Sequence, residues 1–199
     1  MPQLSFGLVS LGANLPSADR HASETLRSAW GILHGAPDIS ITAISRIWRT
    51  PAFPPGSGPD FANAAARIAT TLTAGALLER LHAIEAEFGR DRSTGRWSVR
   101  VLDLDLIALD DLVLPDAATL RRWIDLPPGQ QRNEAPGQLI LPHPRLQDRG
   151  FVLGPLAEIA PGWRHPLIGQ SVAEMLDRLG PAGLAGMRPR SGDDGPGFP

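Results

Sequence analysis

An α+β fold of the βαββαβ kind, with an antiparallel sheet carrying helices on one face, follows from three features of the sequence. Short runs of strand-forming residues alternate with two longer runs whose apolar residues recur every three or four positions. Their order is strand, helix, strand, strand, helix, strand. The chain has 199 residues, 42% hydrophobic and 20% charged, enough for one domain with its own core and extensions.

Residues 5–11 (SFGLVSL) are apolar and rich in strand formers, which predicts an interior first strand. The turn Gly12-Ala13-Asn14-Leu15-Pro16 follows, with Ser17 or Asp19 as candidate helix caps. From Ala18 to about His34, the residues Ala22, Leu26, Ala29, Trp30 and Leu33 define an amphipathic helix, ended by Gly35-Ala36-Pro37-Asp38. Residues 39–48 (ISITAISRIW) predict a second strand with an irregular middle. Residues 50–60 (TPAFPPGSGPD) form a loop that four prolines stiffen, either a functional loop or a connector with Phe53 on the core. Residues 61–72 (FANAAARIATTL) read as a third strand, with a helix as the rival because of the alanines. Residues 74–88 predict a second amphipathic helix, capped by Thr73 and stopped by Gly89.

Next comes the strand VLDLDLIA, in which Asp103 and Asp105 alternate with Leu102, Leu104 and Leu106. Asp110-Asp111 makes a turn before a short strand at residues 112–114. Residues 116–138 read as a polar insertion with one helical turn around 117–123. Residues 139–141 are apolar, His143 lies between two prolines within HPRLQDR, and residues 151–159 form another apolar run. Residues 171–179 predict a short capped helix. The element order is the ferredoxin-like arrangement, with a mostly polar second sheet face left for ligands. Residues 1–179 are expected to be one domain with a C-terminal extension, and residues 180–199 a Gly- and Pro-rich flexible tail.

The chemistry concentrates in GRDRSTGRWSVRVLDLDLIA, residues 89–108. Side chains at i and i+2 of a strand share a face, so the Asp103 and Asp105 carboxylates stand roughly 5–7 Å apart and repel. A hard divalent cation, Mg²⁺ or Mn²⁺, relieves such a pair. Arg90, Arg92, Arg96 and Arg100 precede it, with Trp97 among them. Guanidinium groups fit phosphate oxygens and an indole offers a stacking face. The pattern alone divides evenly between a nucleotide-phosphate site and a solvated strand face beside a soluble loop.

Composition narrows the rest. A net charge of −2 gives no basic field for bulk nucleic-acid binding. An RNA-reading sheet would present exposed aromatics, where the central strands here present carboxylates and small residues. The absence of cysteine excludes disulfides, thiolate nucleophiles and zinc–thiolate sites. The N-terminal residues have no basic segment followed by an apolar run, so no signal peptide is expected. No apolar run approaches the ~18 residues of a membrane helix. The expectation is a cytoplasmic monomer.

With these residues laid out, residues 4–179 resemble the 6-hydroxymethyl-7,8-dihydropterin pyrophosphokinase family. The segment Arg96-Trp97-Ser98-Val99-Arg100-Val101-Leu102-Asp103-Leu104-Asp105-Leu106-Ile107 is similar to that family's R-W-G-P-R-T-L-D-L-D-hydrophobic signature. Leu11-Gly12-Ala13-Asn14-Leu15, Thr50-Pro51, Phe61 with Asn63-Ala64-Ala65, Pro142-His143 and Arg149-Gly150-Phe151 match in the same order.

The resemblance implies transfer of pyrophosphate from ATP to a reduced pterin's hydroxymethyl group, with release of AMP, in folate biosynthesis. Asp103 and Asp105 would hold two Mg²⁺ ions. Arg90 and Arg92 would close over the nucleotide from a catalytic loop. His82, Glu85, Arg92, Trp97, Arg100, Leu106, His143 and Arg149 match ATP-side positions. Trp97 and Phe151 would sandwich the pterin, Asn63 would read its polar edge, and Thr50, Pro51, Phe53 and Phe61 would wall the pocket. Ser98-Val99 stands in place of Gly-Pro, Pro16 in place of Gly, Phe61 in place of Tyr, and Pro144 in place of a Tyr beside the His. Two other classes compete with this reading. One is a pterin or nucleotide binder without turnover, and the other a nucleic-acid-binding module.

Overall fold

The computed structural model describes residues 3–14, 21–52, 58–89, 101–127, 129–130 and 134–190. Strand β1 (Ser5–Ala13) is central and pairs antiparallel with β4 (Phe61–Thr70) on one side and β5 (Asp103–Leu109) on the other. The expected second strand is two strands laid end to end on β4. β2 (Ile39–Ile44) takes its Thr70 half and β3 (Trp48–Thr50) its Phe61 half. Register slips between Ile41 and Ala43, the anticipated irregularity. The break itself is held by Ser45, whose Oγ accepts from the Ala65 N–H at 2.9 Å.

β4 is a strand despite its alanines because both of its faces are covered. Ala62, Ala64, Ala66 and Ile68 face a core built with helices α1 (Ala22–Gly35) and α2 (Ala74–Glu87), while Ala65 faces a second core. Small side chains let layers approach from both sides, and that burial outweighs helix propensity. The candidate caps Ser17 and Asp19 lie outside the described residues. Helix α1 begins after His21, whose N–H donates to Glu24 at 3.0 Å. Thr73 caps α2, its hydroxyl accepting from the Ala76 N–H at 3.3 Å.

The second sheet face is not the open polar surface expected. Helix α4 (Gly150–Ile159) lies across half of it, burying Val152, Leu153 and Leu156 against Leu8, Ala65 and Ile107. Glu158 anchors this helix to the β2–β3 link, accepting from the Arg46 N–H at 2.8 Å and the Trp48 indole at 3.0 Å. Gly154 lets the Trp48 ring come close, since a Cβ there would lie 3.2 Å from it. Up to the irregularity opposite Leu8 and Val9, the odd-numbered residues Asp103, Asp105 and Ile107 point to this face. Ile107 is therefore roofed by α4, while Asp103 and Asp105 remain at its open end.

The insertion is more ordered than one turn. Helix α3 (Ala117–Ile124) is capped by Asp116, which accepts from the Thr119 N–H at 2.8 Å, and Leu120 is fully buried. The expected strand at residues 112–114 reduces to a single bridge from Leu114 to Leu141. Helix α5 (Val172–Gly183) starts at the Ser171 cap and kinks at Gly180, where φ is +61°. The flexible tail expected from Gly180 is instead structured as far as Arg190. β6 (Arg188–Pro189) pairs with β3, because that strand's outer edge carries ladder groups that need partners.

Between α4 and α5, His165 is completely buried, and its Nδ1 accepts from the Leu167 and Ile168 N–H groups at 3.1 and 3.2 Å. Burial pushes its pKa down from 6.5 to about 4. The unfolded chain therefore binds a proton between those values that the folded chain refuses, and stability falls as pH drops through the window. The loss expected from His165 is about 2–3 kcal/mol between pH 6.5 and 4. Thermal denaturation against pH checks it. His165→Asn, which keeps an acceptor but does not titrate, flattens that part of the profile.

Candidate active site

The antiparallel register places the site residues in rows. Gly12 of β1 pairs with Asp103 on one side and Asn63 on the other, and Ser10 pairs with Asp105 and Ala65. Directly paired residues point to the same face. Asn63 and Asp103 therefore flank a glycine, roughly 10 Å apart across two strand spacings. A Cβ on Gly12 would lie 2.9 Å from Asn63 Oδ1 and 4.0 Å from Asp103 Cβ, so the missing side chain leaves a furrow between amide and carboxylate. On the far side Thr50 Oγ1 accepts from the Asn63 amide at 2.6 Å, and both residues are buried. Phe61 pairs with Thr50 in register, and Pro51 follows directly.

β5 is the sheet's outer strand, and its free edge is satisfied from outside the sheet. The Leu104 N–H, between the two aspartates, donates to Glu85 Oε1 at 2.8 Å. Glu85 reaches it from α2 and is itself buried. Further along, the His143 N–H donates to the Ile107 carbonyl at 2.8 Å. An edge strand without such partners is an invitation to foreign pairing. Here the same contacts hold the carboxylates in place.

A cleft of about 540 Å³ opens beside this edge, lined by His82, Glu85, Asp103, Asp105, Leu106, His143 and Arg149, together with Leu78, Trp123, Arg145 and residues 134–140. Asp103 and Asp105 are half-buried on its floor. Arg149 Nη1 stands 3.8 Å from Asp105 Oδ2, and its guanidinium lies 5.6 Å from the Phe151 ring centroid. That ion pair is loose and partly exposed, so it leaves the arginine able to meet an anion. His143 accepts from the Arg145 N–H at 3.1 Å through Nδ1, which puts its proton on Nε2. Burial, with the positive charge of Arg149, holds its pKa down at about 3, so it is a neutral N–H donor at physiological pH.

Among the cleft residues that escaped the sequence reading are Arg145 and Trp123. Arg145 belongs to the HPRLQDR stretch, and its position four residues before Arg149 was the available signal. Its Nε is buried with no hydrogen-bond partner, and burial with the neighbouring Arg149 lowers its pKa. Trp123 had no signal beyond one aromatic in a polar insertion. Phe53, Arg90, Arg92, Trp97 and Arg100 lie outside the described residues. Thr50, Pro51, Phe61, Asn63 and Phe151 are described but do not line the cleft.

Among the described residues, no group of three or more His, Asp or Glu could hold a metal ion. Asp103 and Asp105 are the oxygen donors that could do so, and a cation there would complete its shell with solvent or ligand oxygens.

Residues 8–161 match the family described as 7,8-dihydro-6-hydroxymethylpterin-pyrophosphokinase. The chain belongs to this family. It is 34% identical to the 2-amino-4-hydroxy-6-hydroxymethyldihydropteridine pyrophosphokinase of Synechocystis sp., over 89% of this chain and 78% of that one. To the protein of the same name from Methylorubrum extorquens it is 35% identical, over 88% of this chain and 94% of that one. Among solved structures, the wild-type HPPK-DHPS protein of Plasmodium falciparum superposes with a TM-score of 0.62 at 12% identity, covering 88% of this chain. The chain spans 45% of that larger protein, and the likeness carries the fold alone.

The carboxylate of Glu85 supplies the acceptor for a buried backbone N–H in this pyrophosphokinase-family chain. Glu85→Ala is expected to cost about 1–3 kcal/mol, the price of an unpaired buried donor. Glu85→Gln keeps an oxygen acceptor and loses less. Chemical denaturation of both variants checks this, and equal losses would show that the charge matters rather than the acceptor.

Proposed function

We propose that the chain transfers pyrophosphate from ATP to the hydroxymethyl group of 6-hydroxymethyl-7,8-dihydropterin, releasing AMP, as a step of folate biosynthesis. The observation that carries this reading is the row Asp103–Gly12–Asn63. It sets Asp103, with Asp105 in the neighbouring row, across a furrow from a buried amide, with room between them for a reacting group. The names of the curated relatives point to the same reaction.

In this account the pterin lies towards Asn63, whose amide offers both a donor and an acceptor to the ring's polar edge. Thr50 fixes that amide's orientation, its hydroxyl holding one amide proton. Phe151 and Trp97 supply stacking faces, with Pro51, Phe53 and Phe61 as the surrounding wall. The triphosphate lies over Asp103 and Asp105. Two Mg²⁺ ions, when bound there, supply neutralisation of the charge on the phosphates. Arg149 and Arg145 bind phosphate oxygens from the cleft wall, and the neutral His143 donates Nε2–H to the nucleotide. Arg90, Arg92 and Arg100 add guanidinium groups from residues 90–100.

The pterin hydroxyl oxygen attacks the β-phosphorus, forming the new O–P bond as the bond from that phosphorus to the α–β bridging oxygen breaks. AMP leaves with the bridging oxygen, and the hydroxyl proton passes to solvent. Most of the acceleration comes from holding the two substrates in line and from the charge around the phosphates, since the protein contributes no covalent step.

Release of AMP from ATP and Mg²⁺ tests the reading. AMP is expected only when the reduced pterin is present. Formation of ADP would make the protein a simple kinase, and no turnover with pterin bound would favour a binding protein. Asp105→Ala is expected to lose most Mg²⁺-dependent turnover, by at least about 100-fold, with the melting temperature little changed. Full activity in that variant would remove the carboxylates from the reaction.

A further inference from the structure

Trp123 sits on helix α3, within the insertion to which neither the resemblance nor the relatives assign a role. It belongs to neither of the two hydrophobic cores. Its half-buried ring borders the same cleft as Asp103 and Asp105. An indole that packs into no core and borders a cleft presents a flat apolar surface to whatever fills the cleft.

The helix that carries it is held firmly. Asp116 caps its first turn, Leu120 is fully buried, and Arg121 Nη2 donates to the Leu167 carbonyl at 3.4 Å. The Arg122 guanidinium lies 5.9 Å from the Trp123 ring centroid, which adds positive charge at this wall. Sites carried on positioned helices hold their geometry better than sites on loops.

The direction in which the cleft runs decides the occupant. Leu78, His82 and Glu85 form one stripe along α2, and all three line the cleft. Glu85 reaches Leu104 between the two carboxylates, while Leu78 lies about 10 Å further back along the helix axis. The cleft therefore extends away from the carboxylates past the outer edge of β5. Asn63 lies on the opposite side, two strands inward across Gly12. With phosphates over Asp103 and Asp105 and the pterin towards Asn63, the outer end is left for the nucleoside. Leu78 marks that end, and Trp123, Leu139 and Ile140 are further apolar residues lining the same cleft, a setting for a planar ring.

We propose that Trp123 is the base-stacking wall of the nucleotide site, a specificity residue through which the insertion favours a purine nucleoside triphosphate over bare polyphosphate. The inference rests on the pyrophosphoryl-transfer reading above. Equilibrium binding to the full chain in the presence of Mg²⁺ tests it with two probes. α,β-Methylene-ATP carries the base and resists cleavage at the bond to be broken, while inorganic tripolyphosphate has the phosphates without the base.

Trp123→Ala is expected to weaken α,β-methylene-ATP about 5- to 100-fold, the range of base–aromatic stacking, and to leave tripolyphosphate within about twofold. Trp123→Phe, which keeps an aromatic face, is expected to recover most of the loss. Equal weakening of both probes would mean that Trp123 supports the fold, and unchanged binding of both would mean that it does not meet the base. Either result overturns the proposal while leaving the pyrophosphokinase reading intact. A wild-type chain that binds neither probe would overturn that reading as well.

Discussion

Two carboxylates on one face of one strand repel each other, and the surrounding contacts hold that strand in place. Coulomb repulsion between Asp103 and Asp105 would be relieved if the end of β5 frayed or rotated. Three contacts prevent it. β1 pairs along one edge of the strand, Glu85 holds the Leu104 N–H on the other edge, and the His143 N–H holds the Ile107 carbonyl. Arg149 stands 3.8 Å from Asp105, in partial contact with solvent. What results is a pair of carboxylates held in fixed positions at the open end of this sheet face.

The second face of the sheet is divided by the same logic. α4 needs an apolar floor and finds it at Leu8, Ala65 and Ile107. The row of Ser10 joins Ala65 under the helix to Asp105 at its margin, and the next row carries Gly12 with Asp103 and Asn63. A one-residue slip in register would turn the carboxylates into the core and bring leucines out to the cleft. The pairing of β1 thus sets both the packing and the position of the chemistry.

Much of this was legible in the sequence. The periods of α1, α2, β1 and β5 are local signals, and the i, i+2 spacing of the aspartates states their common face directly. α4 left no such signal, because residues 150–159 are buried on most sides and so lack a polar stripe, while Gly154 and Pro155 argue against a helix. β6 is two residues long and exists only through its pairing with β3, which no local pattern announces. At the site, Glu85 and His143 were reached through the resemblance. Arg145 and Trp123 were not, since membership of a cleft is decided by which segments meet in space.

The metal assignment is the centre of this account, and Mn²⁺ in place of Mg²⁺ allows it to be read directly by electron paramagnetic resonance. Titration of the full chain with Mn²⁺ and α,β-methylene-ATP is predicted to show two bound ions per chain in the presence of nucleotide. The Asp103→Asn and Asp105→Asn variants are predicted to lose at least one of them while keeping the wild-type melting profile. Two ions bound with unchanged affinity in both variants would contradict the account, because the strand carboxylates would then have no part in holding the metal.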